Sequence, residues 1–335
     1  MTTPVDRPLW ISEAEVVSMM DIGGAIGALE RGLMAEAEGN AQNMIKTHVE
    51  WDGSTLHAIG AVFPRMGICG TKTWSHTPSG ATPLLILFDS NHGNLMAVIE
   101  AFALGQMRTA AASGVATRWL AAAEADEFAM IGAGKQAITQ VAAVLAVRPI
   151  RRIRVFSRDE NRRNQFVARL RAEFEVEAVA SRTVREAVDG ASIISVATRA
   201  TDPIVTADLV QPGAHINSVG AIVPSRAEIS QDVLARSTRI VTDSISQAHK
   251  LSREMIEFFG NDSARWNAVQ PLATVVANRL SRSASDDLTL FKALGVGISD
   301  LSLGIELYRK ALASGLGHRF SAPQRISPRL GGEVK

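Results

Sequence analysis

Phe128-Ala129-Met130-Ile131-Gly132-Ala133-Gly134-Lys135-Gln136-Ala137 is the stretch on which the fold turns. Four apolar residues read as a short buried strand, and the G-x-G-x-x-A after them opens a helix expected over Gln136 to Val147. In that setting the first glycine makes the turn, the second lets a pyrophosphate approach the backbone, and the small third residue lets helix and strand pack. The helix N-terminus adds unpaired N–H groups and partial positive charge. A second strand, Ile153 to Phe156, completes a βαβ unit of about 30 residues. Gly132, Ala133, Gly134, Lys135 and Gln136 are therefore the expected cofactor-binding residues, weighed against a purely structural Gly-rich turn.

Downstream the alternation continues: strand Val176 to Val179, helix Val184 to Val188, strands Ser192 to Ala197 and His215 to Val219, helix Arg226 to Ala235, and strand Arg239 to Thr242. That order implies parallel strands joined by crossover helices. Upstream, Ser12 with Glu15 is a capping-box pattern that predicts a helix start, and a second helix is expected near Ile22 to Glu38. Leu56 to Phe63 and Pro83 to Phe88 read as strands. Turn residues at 89–94 make Leu84 to Phe88 and Leu95 to Glu100 an expected antiparallel hairpin. Leu104 to Ala123 reads as a long helix whose run Thr109-Ala110-Ala111-Ala112-Ser113-Gly114 lets another backbone come close. Leu288 to Leu312 shows helical periodicity, and the Pro-, Gly- and Arg-containing tail Ser321 to Lys335 reads as an arm or frayed end.

The second strand also bears on the cofactor. If it stops after Phe156, Ser157 and Arg158 face the ribose and suit a 2′-phosphate; if it runs two residues further, Asp159 could bond the 2′-OH of NAD. NADP(H) is favoured over NAD(H). Nine arginines lie between Arg148 and Arg171, but without interleaved aromatics they read as solvated helix and strand faces, not as a nucleic-acid surface.

Composition narrows the function classes. Of 335 residues 46% are hydrophobic, enough for a sizeable core, and 35 Lys plus Arg against 34 Asp plus Glu leave a net charge of +1. No global field holds the chain on nucleic acid or anionic lipid, so a small-molecule partner is expected. Apolar runs such as Ala137 to Val147 fall short of a membrane span, and the start lacks a signal-peptide pattern. A single cysteine, Cys69, forbids a disulfide framework and suggests the cytoplasm. The seven histidines form no H-E-x-x-H or comparable ligand pattern, so no metal site is expected, and no G-x-S-x-G elbow is present.

A nicotinamide-binding domain needs a second surface to present substrate. Lys46, Lys72 and Arg108 precede the phosphate loop in segments that look packed. Lys72 lies in Gly67-Ile68-Cys69-Gly70-Thr71-Lys72-Thr73-Trp74, where its plain alternative is a strand-end surface charge. Arg108 lies near the start of a helix expected to be buried, so it needs a carboxylate, from the protein or from a ligand.

Several segments together resemble the ornithine cyclodeaminase/mu-crystallin family: Gly70-Thr71-Lys72, LGQMRTAAASGVATRWLAAA from Leu104, MIGAGKQA from Met130, VFSR from Val155, GAHINSVGA from Gly213, and FKALGVGISDLSLGIELYRKA from Phe291. The resemblance spans nearly the whole chain. It implies an α/β protein: a Rossmann-type doubly wound parallel sheet plus an α+β substrate and dimerisation domain formed by the N-terminal part and the C-terminal helix. The divisions expected are 1–118, 119–299, and 300–335 returning to the first. It further implies a homodimer, and an amino- or imino-acid substrate whose carboxylate is held by Arg108, Lys72 and Lys46, the last standing where members often have Arg. Asp300 matches the family's late aspartate near the active site, and Thr109, beside Arg108, is assigned to the cofactor.

One departure is informative. Cyclodeaminases carry an acid in a Gly-Asp-x-Pro motif; here Gly220-Ala221-Ile222-Val223-Pro224 puts aliphatic Ile222 in its place. The expected activity is therefore NAD(P)H-dependent reduction of a 2-imino acid or cyclic imine carboxylate, iminosuccinate- or pyrroline-2-carboxylate-like, with Lys72 or a water held by Asp300 as proton donor. A cyclodeaminase with tightly held NAD and a non-catalytic NADP-dependent binding protein are the alternatives. Lys46, Trp74 and His76 either line a pocket for a second polar group of the substrate or are structural.

Overall fold

A computed structural model describes residues 7–330 of the chain. Among them two sheets carry the architecture. The first contains β1 (Leu9–Ile11), β2 (Gln42–Asn43), β3 (Thr47–Trp51), β4 (Ser54–Phe63), β5 (Ile68–Thr77), β6 (Gly80–Ala81), β7 (Leu84–Asp89) and β8 (Leu95–Glu100), with the late strand His318–Arg319 at its edge. Its order is His318–Arg319, β1, β8, β7, β5, β4, β2, with β3 on β4 and β6 on β5. Only β1 and β8 run parallel. The expected hairpin is present as β7 and β8, antiparallel.

The second sheet contains β9 (Glu127–Ile131), β10 (Arg152–Phe156), β11 (Glu177–Ala180), β12 (Ile193–Val196), β13 (His215–Ser218), β14 (Ser237–Thr242), β15 (Val269–Pro271) and β16 (Leu288–Lys292). All its pairings are parallel, in the order β11-β10-β9-β12-β13-β16-β14-β15. From β9 the chain builds one way to β10 and β11, then crosses back to β12. This is the topological switch point at which doubly wound sheets bind ligands.

The helices are α1 (Glu13–Met19), α2 (Ile22–Ala37), α3 (Phe102–Leu120), α4 (Ala137–Leu145), α5 (Glu160–Glu173), α6 (Val184–Val188), α7 (Gln231–Arg236), α8 (Ile245–Leu251), α9 (Arg253–Phe259), α10 (Ser263–Trp266), α11 (Leu272–Ala277) and α12 (Gly297–Ser314). The α1 capping box forms: Ser12 Oγ accepts from Glu15 N, and Glu15 accepts from Ser12 N at 2.8 Å. The small-residue run explains α3. Ala110, Ala111, Ala112, Ser113, Gly114 and Ala116 are all buried, so α2, α4 and α12 can pack around this helix. Polar pins join it to the second sheet: Asn217 donates to Thr117 Oγ1 at 3.0 Å, and Thr289 Oγ1 to Leu120 O at 2.8 Å.

Three expectations are corrected. Leu288 to Leu312 is not one helix, since Leu288–Lys292 is strand β16, buried at all five positions inside the sheet, and α12 starts only at Gly297. A run buried on both faces has no alternation to mark it as a strand. The helix expected over Arg226 to Ala235 is α7, which begins at Gln231; before it Ile229 bridges to Val205. Lys72 is not at a strand end but inside β5, 4% exposed, so the surface-charge alternative fails. Of the tail, residues 321–330 carry no helix or strand and are exposed, while 331–335 lie outside the described residues. Among the described residues no helix is long and apolar enough to cross a membrane.

α12 reaches the first sheet at an unusually close approach. A Cβ on Gly297 would stand 1.9 Å from Gly60 O and 2.3 Å from Gly60 C. Only glycine lets the start of the helix rest on β4, and one turn later the helix delivers Asp300 beside β5.

Candidate active site

Lys72 on β5, Arg108 on α3 and Asp300 on α12 meet where the first sheet faces the ends of β14 and β16. Lys72 Nζ donates to Asp300 Oδ1, and Arg108 Nε lies 3.4 Å from the same oxygen. Asp300 is fully buried, and its Oδ2 has no partner among the described residues. Lys46, in the link between β2 and β3, completes the cationic group: its ammonium is pushed down by burial and by Arg108, and pulled up by Asp243 and Asp300. Lys72 and Arg108 therefore meet at Asp300, and Lys46 lies within electrostatic reach of the same group.

Burial dominates Lys72. It drives the ammonium down to about 8; Asp300 opposes the fall and Arg108 and Lys46 add to it. The main cause is thus desolvation, with Arg108 a lesser contribution. The ring of Trp74 lies under Nζ, centroid 5.1 Å away, and stacks on His57 at 4.7 Å. His57 is itself stacked on His48 and held down to about 4, chiefly by burial, so it is a neutral ring at physiological pH. His76 is exposed near the end of β5.

Arg108 presents an open edge. No hydrogen bond from Nη1 or Nη2 occurs among the described residues, and the side chain is 17% exposed. A guanidinium edge free of protein acceptors, next to two ammonium groups, is matched to a carboxylate.

The phosphate-loop residues form the expected turn between β9 and α4. Gly132 has φ +113°, and a Cβ there would lie 2.5 Å from Ala197 O, so only glycine lets the loop close on the end of β12. Gly134 faces open space, with nothing within 4 Å of a Cβ placed on it. Gln136 caps α4 without a side-chain hydrogen bond to the helix, and of the first-turn amides Ala137 N turns back onto Gly134 O at 3.0 Å. These features fit a dinucleotide pyrophosphate. Lys135 Nζ lies 5.9 Å from the Phe102 ring centroid, and the Thr109 hydroxyl is bonded to Gly105 O at 2.9 Å. β10 stops at Phe156, so Ser157 and Arg158 directly follow its end. Asp159 is used otherwise: it caps α5 and accepts from Arg162 N at 3.0 Å.

Three buried carboxylates, Glu228, Asp243 and Glu254, escaped the sequence reading. Glu228 accepts from Thr198 N (2.7 Å), Thr198 Oγ1 (2.9 Å), Ser218 Oγ (3.1 Å), Gly220 N (2.8 Å) and Ala221 N (3.2 Å). It knots together the loops after β12 and β13, with the buried Lys292–Glu254 pair beneath, at 3.1 Å. Asp243 follows β14 and binds the amides of Leu294 and Gly295. A signal existed for Asp243 alone: it sits immediately beyond a strand expected in a parallel sheet, at the edge where such sheets bind ligands. Half-buried Ile222 lies on the loop that Glu228 holds.

A doubly wound sheet with a glycine cradle, facing a buried Lys–Asp pair and an open arginine, defines a class: a dinucleotide-binding protein with a site for a small carboxylate. The profile of the ornithine cyclodeaminase/mu-crystallin family matches residues 8–315, and the chain belongs to that family. It is 29% identical over 271 residues to the Delta(1)-pyrroline-2-carboxylate reductase of Bacillus cereus, covering 79% of this chain and 81% of that one. The Thermococcus litoralis Delta(1)-pyrroline-2-carboxylate reductase, solved with NADH and L-proline, superposes with a TM-score of 0.87 at 27% identity, over 93% of this chain and all of that one (100%). An archaeal alanine dehydrogenase dimer with bound NAD gives a TM-score of 0.86 at 26% identity, over 94% and 99%.

Proposed function

We propose that this protein reduces the C=N bond of a 2-imino acid or cyclic imine carboxylate, such as a pyrroline-2-carboxylate-like ring, to an L-amino acid. The observation that carries this reading is the unpaired Nη edge of Arg108 beside the buried Lys72–Asp300 pair. Arg108 and Lys46 hold the substrate carboxylate and so fix the imine over Lys72. When bound, the reduced nicotinamide supplies a hydride to the imine carbon. Lys72 Nζ gives its proton to the imine nitrogen, and Asp300 holds that ammonium in place. One hydride to carbon and one proton to nitrogen balance the reduction.

Gly132, Ala133, Gly134, Lys135 and Gln136 hold the pyrophosphate in this reading, and Thr109 lies on the cofactor side. NADPH is preferred over NADH. In support, Ser157 and Arg158 follow the end of β10, while Asp159 is committed to capping α5. Residues 1–118 with 300–335 serve substrate binding and dimerisation, and 119–299 the dinucleotide. Two copies pair through the first sheet: Ile45, Val49, Trp51 and Leu56 leave an exposed apolar patch there, and a relative of this fold is a dimer. A single cysteine accords with a cytoplasmic setting.

Arg108→Ala tests the reading most simply. Losing one partner of a desolvated charge pair costs about 2–5 kcal/mol, so KM for the imine is expected to rise by roughly 30-fold or more while NADPH binding is kept. An unchanged KM refutes Arg108 as the carboxylate clamp.

A further inference from the structure

Asp243 takes no part in the reaction just described, yet it is buried within the charge cluster around Arg108. Both its oxygens bind backbone: Oδ1 accepts from Leu294 N at 2.9 Å, and Oδ2 from Leu294 N at 3.1 Å and Gly295 N at 2.7 Å. These bonds fix the link between β16 and α12 at Gly295, which has φ +82°. That conformation favours glycine, and space demands it too: a Cβ on Gly295 would stand 2.6 Å from Arg108 Nη1 and 3.3 Å from Nη2. The guanidinium therefore packs against the bare Gly295 backbone, Nη1 closest, with Asp300 near its Nε.

We propose that Asp243 and Gly295 are positioning residues for the Arg108 clamp: the carboxylate pins the loop whose missing side chain gives the guanidinium its seat. The proposal rests on Arg108 binding the substrate carboxylate. Charge works in the same direction as shape. Burial pushes the Asp243 carboxyl up, whereas the two amides and Arg108 pull it back, so the nearby guanidinium favours the charged form of the acid. The other groups facing Asp243 are Glu36, which it pushes up, and Lys46, which it supports. One loop thus sets two parts of the site, since two residues after Gly295 the chain enters α12, which carries Asp300.

The test is a double-mutant cycle in the full-length protein, read as KM against kcat with NADPH and a cyclic imine carboxylate. Gly295→Ala and Asp243→Ala are each expected to raise the imine KM about tenfold or more, with kcat changed far less and NADPH affinity kept. Asp243→Asn, which retains one acceptor, should fall between Asp243→Ala and wild type. In an Arg108→Ala background Gly295→Ala should add less than about twofold, because its effect passes through the arginine. Two results overturn the proposal: a normal KM in both single variants while Arg108→Ala raises it, or a Gly295→Ala effect equally large without Arg108. If Arg108→Ala itself leaves KM unchanged, the clamp reading fails, and the positioning role fails with it. Thermal unfolding and NADPH binding of each variant identify a folding defect, and Asp243→Asn keeps the cycle readable if Gly295→Ala does not fold.

Discussion

A lysine held near pH 8 is an acid matched to neutral conditions, and this sets the behaviour expected of Lys72. Reduction requires the ammonium, so kcat/KM for the imine should be level below about 8 and fall tenfold per pH unit above it; oxidation of the amino acid requires the free amine and should rise over the same range. Lys72→Arg keeps a cation but removes a usable acid. It should lower kcat by about 10²–10⁴ while substrate binding is largely kept. A reduction profile without this limb would remove Lys72 as the donor. Lys72 and Arg108 were legible in the sequence because a charge flanked by glycine, alanine and apolar residues needs a reason to be there. Glu228 was not, because its partners are amides and hydroxyls brought in from other loops, and a carboxylate bound that way leaves no residue pattern along the chain; Asp243 had only its place just beyond an expected strand to mark it.

At the scale of elements, the contact of α12 with β4 is the joint that brings Asp300 to Lys72. Gly297→Ala would force a methyl into the Gly60 backbone, which has no flexible end to yield. The expected cost is about 1–3 kcal/mol in denaturant unfolding, with activity reduced because the Lys72–Asp300 contact is disturbed. The α3 pins make a second prediction. His215 is fully buried and bonded to Thr289 and Asn217, and burial holds it down to about 3 from 6.5. The unfolded chain takes up this proton first, so the stability that neutral His215 allows is complete above about 6.5 and is lost as pH falls toward 3. His215→Gln should weaken the loss of Tm between pH 7 and pH 5.5, roughly the range in which the unfolded imidazole titrates. An unaltered slope would assign that pH dependence elsewhere. The switch of β16 from an expected helix to a strand has the same origin as the buried pins: tertiary burial on both faces overrides what a local pattern reports.

The whole molecule brings a glycine cradle on the second sheet and the Lys72–Arg108–Asp300 cluster beside the first together through α3 and α12. Most of the second sheet was readable from alternating apolar runs and the glycine loop. The first sheet was readable mainly in its hairpin, since short strands such as β2 and β6 form only when the rest is assembled. NADPH is predicted to raise Tm more than NADH at equal concentration, as differential affinity requires; equal shifts would remove the preference argued from Ser157 and Arg158. The central claim is imine reduction at the Lys72–Arg108–Asp300 site. It is tested most directly by following NADPH oxidation with a panel of cyclic imine carboxylates and of 2-oxo acids with ammonia, with product chirality determined. The account predicts turnover giving an L-amino acid, lost in Lys72→Arg; tight NADPH binding with no oxidation across the whole panel would contradict it.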